Sequence, residues 1–202
     1  MSSQIAVLDY GLGNLRSVVR GLEAAGAKTI ITANPEEIKA TDAILLPGVG
    51  AFAEGIAKLT PLIPFIREEA KVKPLLGICL GMQMLLEESE EHGLTKGLGF
   101  VPGKVRMFSR DAGLKIPQTG WNSITPAGSH PLFEGISAGT YVYFVHSYYA
   151  DTTPEYTLAS TEYGIRYASA VGSGNVCGTQ FHPEKSGGAG LRILQNFVQM
   201  SE

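Results

Sequence analysis

Residues 74–84 read PLLGICLGMQM. Leu75-Leu76-Gly77-Ile78 is apolar without polar alternation, as a strand buried on both faces requires. Residues 80–88 read as a helix. Cys79 stands at the junction, with Gly77 two positions before it and Gly81 two positions after. A tight strand-to-helix turn strains its central residue and crowds the neighbouring side chains. Glycines at those two positions relieve the crowding. This is the logic of a nucleophile elbow, with a thiol in place of a serine hydroxyl.

The segments before the elbow follow the same alternation. Residues 4–9 predict a buried strand, residues 10–14 a turn, and residues 15–25 a helix. Leu15, Val18, Val19 and Leu22 fall on one face of that helix, and Gly26 stops it. Residues 29–31 and 43–46 are further strands, and residues 35–38 a short helix or helical turn. Helical material broken by Pro61 and Pro64 follows the loop Pro47-Gly48-Val49-Gly50. From about residue 100 strands dominate, at 104–108, 141–145, 156–160, 166–171 and 176–180. Residues 172–175 form a hairpin turn, and residues 191–200 a closing helix. The prediction is an α/β fold. An open, mostly parallel sheet carries helices on both faces, with an added antiparallel strand region in the C-terminal half. A length of 202 residues suits one domain, spanning 1–202.

Composition narrows the function classes. The net charge is -3 and no Lys/Arg-rich block occurs, so no nucleic-acid partner is expected. Apolar runs such as residues 43–46 are too short to span a bilayer, and no charged-then-apolar leader opens the chain. Neither a membrane nor a secretion route is therefore expected. Two cysteines, Cys79 and Cys177, in apolar surroundings fit a reducing cytoplasm better than a disulfide framework.

A cysteine nucleophile needs a base. His182 follows the predicted strand 176–180, in Gln180-Phe181-His182-Pro183-Glu184-Lys185. In extended chain, residues i and i+2 point the same way, so Glu184 can fix the tautomer and orientation of His182. At a helix amino terminus Cys79 meets unpaired N–H groups, which favour thiolate, and the Leu80 N–H can face a developing oxyanion. The loop Pro47-Gly48-Val49-Gly50 lies after a parallel strand, at the carboxyl edge where open α/β sheets bind ligands. Val49 or Gly50 can supply a second oxyanion N–H. Gly11-Leu12-Gly13 resembles a dinucleotide loop, but Arg16 occupies the position of the third glycine. His130 and His146 lack metal-ligand spacing, and His92 reads as part of a solvated helix end.

Gly77-Ile78-Cys79-Leu80-Gly81-Met82-Gln83, followed in the second half by Phe181-His182-Pro183-Glu184, resembles the class I (triad) glutamine amidotransferases. The 47–50 loop matches their oxyanion loop. Further segments are similar to the glutaminase subunits of imidazole glycerol phosphate synthases: Asp9 through Ser17, Gly120-Trp121-Asn122, Tyr143 through Tyr148, and Gln180 through Ser186. The resemblance runs from the first strand to the last helix, with no appended synthase domain. It implies catalysis by Cys79, His182 and Glu184, with L-glutamine as substrate. It also implies oxyanion and substrate contacts from Gly48, Val49, Gly50, Leu80, Gln83, His146, Ser147 and Tyr148. The implied partner is a (β/α)8-barrel cyclase subunit that receives ammonia, with Asn14, Trp121, Tyr143 and Lys185 at or near the interface. No cofactor and no metal are implied. If Val49 turns a carbonyl toward the site, a peptide flip between the flanking glycines would complete the oxyanion hole on partner binding. Other readings stay open on these residues: another amidotransferase of the same class, a cysteine peptidase, or a non-catalytic activating subunit.

Overall fold

The computed structural model describes residues 3–109 and 113–202. Strands and helices alternate through the amino-terminal half. They run β1 (Gln4–Leu8), α1 (Leu15–Ala24), β2 (Lys28–Thr32), α2 (Pro35–Lys39), β3 (Ala43–Leu46), α3 (Phe52–Leu59), α4 (Ile63–Glu69), β4 (Leu75–Ile78) and α5 (Leu80–Met84). Strands then dominate: β5 (Leu86–Ser89), β6 (Thr95–Lys96), β7 (Val101–Met107), β8 (Gln118–Pro126), β9 (Thr140–His146), β10 (Tyr148–Asp151), β11 (Thr157–Tyr163), β12 (Ile165–Ser173) and β13 (Val176–Thr179). Helix α6 (Gly187–Met200) closes the chain, starting four residues before the predicted position.

Strands β2, β1, β3, β4 and β13 lie side by side and parallel in that order. The apolar sequences of β1, β3 and β4 follow from burial on both faces, while the edge strand β2 is largely exposed. In β1, Ile5 and Val7 join α1 and α6 on one face, while Ala6 and Leu8 join α2 to α5 on the other. Full burial of each large side chain, such as Phe197 of α6 or Phe52 of α3, contributes about 1.5–3 kcal/mol. Beyond β13 the sheet continues antiparallel through β12, β10 and β7, and β11, β8 and β9 branch from β12. The architecture is the expected one: a parallel block between helical layers, with an antiparallel extension from the C-terminal half. The hairpin between β12 and β13 turns at Gly174, with φ +57°. Among the described residues, no helix is long and apolar enough to cross a membrane.

Three details differ from the sequence reading. The predicted helix 80–88 ends at Met84, and residues 86–89 form β5, paired with β6 and β7. The Met84 and Leu85 carbonyls accept from Leu98 (2.8 Å) and Phe100 (2.9 Å), so pairing with the later chain replaces the next helical turn. His92 consequently lies in a turn with φ +53°, not at a helix end. Strands β8 and β10 were not anticipated; β8 pairs with β9 and β11, and β10 with β7 and β12.

Candidate active site

Cys79 links β4 to α5 with φ +55° and ψ -110°, a conformation costing a non-glycine residue about 1–3 kcal/mol. Its surroundings enforce it. The Cys79 N–H donates to the Thr179 carbonyl of β13 (2.8 Å), extending the parallel pairing one residue past the strand. A Cβ on Gly81 would lie 2.0 Å from the Leu46 carbonyl oxygen. A Cβ on Gly77 would lie 2.7 Å from Gly81 C and Met82 N. Both glycines are thus required by close backbone approach, as the elbow reading predicts.

His182 comes to Cys79 because β13 is the neighbour of β4, with Thr179 opposite Ile78. After β13 the chain bends at Gln180, whose N–H donates to the Ser169 carbonyl (2.9 Å), and buries Phe181 against Phe144. The His182 N–H then donates to the Tyr143 carbonyl of β9 (2.9 Å). Nδ1–H of His182 donates to Glu184 Oε1 (2.8 Å), and both side chains are buried. Among the described residues Nε2 has no hydrogen-bond partner within the protein. Burial alone would lower the His182 pKa, but the Cys79 sulfur and the Glu184 carboxylate outweigh it and push it up to about 9.

Cys79 and His182 line one cavity of about 330 Å³. Val49, Gly50, Leu80, Gln83, His146, Ser147 and Tyr148 line it as well. Gly48 does not line it; it packs beneath, where a Cβ would meet Gly81 N at 2.7 Å. The Gln83 amide is held by donation to the Tyr148 carbonyl (3.1 Å) and to Gln180 Oε1 (3.0 Å). The His146 ring is turned away from substrate duty. Its Nδ1–H donates to the Tyr148 carbonyl (2.8 Å), and Nε2 meets Gln118 Oε1 (3.1 Å) and the Tyr167 hydroxyl (3.2 Å). Burial pushes the pKa of His146 down to about 4, so near neutral pH the ring is an uncharged strut. A cleft of about 390 Å³ between α1 and α6 lies behind Glu184, away from Cys79.

Three of the four candidate partner residues form one surface cluster. Trp121 and Tyr143 are paired across β8 and β9, with ring centroids 6.2 Å apart. Lys185 Nζ lies 5.9 Å over the Tyr143 ring, and Trp121 is 56% exposed. Tyr141 and Val145, which alternate with buried residues on β9, extend the exposed apolar face. Asn14 caps α1 by accepting from the Ser17 N–H (3.4 Å).

Three residues at the site were not singled out from sequence. Glu91 lines the cavity, and its Oε2 accepts from the Phe52 N–H at the start of α3 (2.6 Å). Its only sequence signal was membership of an acidic run. Gln180 places Nε2 3.8 Å from Cys79 Sγ; it sits in the histidine motif, within reach of a closer reading. Tyr10 donates its hydroxyl to the Pro47 carbonyl at the root of the 47–50 loop (2.6 Å).

The arrangement suits thiol-based acyl transfer: a strained thiol, an imidazole oriented by a buried carboxylate, and a cavity for a small substrate. Comparison with known proteins agrees. A family model described as "Glutamine amidotransferase class-I" matches residues 6–200. The chain is 58% identical over 200 residues to the imidazole glycerol phosphate synthase subunit HisH of Methanosarcina mazei, covering 98% of both chains. It is 46% identical to the HisH of Archaeoglobus fulgidus, covering 97% of this chain and 98% of the relative. A solved glutamine amidotransferase superposes with a TM-score of 0.76 at 19% identity, covering 98% of both chains. PurLQS from Thermotoga maritima does so at 0.72 and 21%, covering 98% and 99%. At such identities the structural likeness speaks for the fold alone. The family model and the HisH relatives together establish that this chain belongs to the class I glutamine amidotransferases.

Proposed function

We propose that this chain is the glutaminase subunit of an imidazole glycerol phosphate synthase. It hydrolyses L-glutamine to glutamate and ammonia, as one amidotransferase domain spanning residues 1–202. The observation that carries the chemistry is a shared cavity. In it, Cys79 on its strained elbow and His182, held by buried Glu184, face the same space.

His182 takes the Cys79 proton, and the thiolate attacks the side-chain carbonyl carbon of glutamine. Backbone N–H groups at Leu80 and in the Val49–Gly50 segment receive the oxyanion. A ring pKa of about 9 keeps the proton on the imidazole near neutral pH. It is therefore ready for the departing nitrogen as the C–N bond breaks. The glutamyl thioester is then attacked by water, which gives its proton to His182. The C–S bond breaks, glutamate leaves, and the sulfur is restored. Glu91 is suited to the α-ammonium of the substrate, because it is the one acidic side chain among the described residues that line the cavity.

The exposed Trp121, Tyr143 and Lys185 cluster is the docking face proposed for a (β/α)8-barrel cyclase subunit. Partner contacts are enriched in exposed aromatics of this kind. Ammonia released under such a face reaches the cyclase before it is protonated in bulk water. Cys79 must be reduced to act, which fits residence in the cytoplasm.

Purified chain, with and without the cyclase and its nucleotide ligand, should release glutamate from glutamine fastest in the complex. Cys79→Ala should lower that rate by about 10³-fold or more. Equal rates without the cyclase would remove the partner-gated form of the proposal. No release in any combination would favour a non-catalytic subunit.

A further inference from the structure

Four residues, Pro47 to Gly50, run along the sulfur of Cys79, and the two halves of this loop have opposite surroundings. The first half is enclosed. Tyr10 leaves β1 beside the exit of β3, is 7% exposed, and donates its hydroxyl to the Pro47 carbonyl (2.6 Å). Burial, and then the charge of nearby Cys79, push the phenol pKa up, so the hydroxyl keeps its proton and stays a donor. A Cβ on Gly48 would lie 2.7 Å from Gly81 N, 2.8 Å from Leu80 Cβ and 2.9 Å from the Tyr10 oxygen. Gly48 is thus clamped between the phenol and the elbow. On the other side Gly13 packs on the proline, where a Cβ would lie 3.1 Å from Pro47 Cβ. The second half is open. Val49 is 42% exposed, and Gly50, with φ +100°, would have nothing within 4 Å of an added Cβ.

We infer that Tyr10 is a positioning residue: its hydroxyl fixes the Pro47–Gly48 half of the oxyanion loop, so that only the Val49–Gly50 half can reorient. This rests on the reading of the chain as a Cys79 glutaminase, and it names how the oxyanion donor of that site is aimed. A peptide enclosed on both sides cannot rotate without moving its neighbours. A peptide next to an unenclosed glycine rotates at small cost. The fixed half sets the point from which the mobile half swings, and hence where its N–H arrives relative to the sulfur. The anchoring turn continues into Asn14, a candidate partner contact, so docking there bears on the fixed half through Gly13 and Pro47.

The test is Tyr10→Phe in the complex with the cyclase, which removes one oxygen and keeps the ring. The expected result is a fall in kcat of about 10-fold with KM for glutamine changed less than about 2-fold. Affinity for a glutamine-like aldehyde, which forms a tetrahedral oxyanion on Cys79, should fall by the same factor. Alkylation of Cys79 by iodoacetamide, which needs no oxyanion hole, should keep its rate. An unchanged kcat beside an active parent would overturn the inference and leave the glutaminase reading standing. A drop in kcat accompanied by equal loss of alkylation, or by unfolding, would make Tyr10 a general structural residue and also overturn it. A parent that hydrolyses no glutamine would overturn the glutaminase reading, and the inference with it.

Discussion

The Ser186 hydroxyl donates to the His182 carbonyl (2.6 Å) and accepts from the Tyr143 N–H (2.9 Å), so a buried side chain ties the histidine turn to β9. With the His182 N–H on the Tyr143 carbonyl, the turn is held at both ends, and Glu184 is left to fix only the ring. Ser186→Ala would leave the Tyr143 N–H without its partner, at a cost of about 1–3 kcal/mol. It would also loosen the imidazole enough to lower kcat about 10-fold in the complex. Urea unfolding and initial rates read the two effects separately; a stability loss with kcat intact would show that Glu184 alone positions the ring. At this scale the elbow and the His182–Glu184 pair proposed as nucleophile and base were legible in sequence, because the elbow needs glycines at fixed offsets and extended chain puts His182 and Glu184 on one side. Glu91 was not. Its role depends on a fold-back of residues 86–105, and an acidic run by itself describes any solvated surface.

Helix α5 is only five residues long, yet it carries the elbow, and it is pinned by the approach of Gly81 to β3. Gly81→Ala should therefore destabilise the chain by about 3 kcal/mol or more, although alanine in an exposed helix gains about 1 kcal/mol over glycine. The contact is with a strand carbonyl, which has no rotamer to escape into. Denaturant unfolding of the variant checks this, and a loss below about 1 kcal/mol would mean that α5 can slide. The inner parallel strands β1, β3 and β4 were legible as elements because burial on both faces leaves nearly uninterrupted apolar sequence. Strand β5, LEES, was not: leucine and glutamate favour helix, and only its pairing with β6 and β7 decides otherwise. Strand β8, QTGWNSITP, has mostly polar or partly exposed positions, because one face of the β8–β9 ribbon meets solvent and the candidate partner.

Stability of the whole molecule should respond to pH through two histidines that act in adjacent windows. His182 has its folded pKa raised to about 9 from 6.5, so its contribution is full below 6.5 and is lost as pH rises through 9. His146 has its folded pKa lowered to about 4, so the unfolded chain takes a proton first. Stability then falls from pH 6.5 toward 4, by about 3 kcal/mol in all. His130, lowered by burial, adds to that acid limb. The two limbs predict a maximum near pH 6.5, measurable as urea midpoints across pH 4 to 10. His146→Phe should flatten the acid limb, and an unaltered limb would assign it to carboxylates instead.

Strand β13 seats beside β4, with the intervening chain spread through the rest of the sheet and the closing helix still to come. The proposed nucleophile Cys79 is therefore made early in synthesis and the proposed base His182 almost last. A growing chain on the ribosome holds the Cys79 thiol without the His182 imidazole until the last tenth of the sequence is made. Products of interrupted translation that end before His182 would for the same reason lack the proposed base, whatever fraction of the sheet they had managed to assemble.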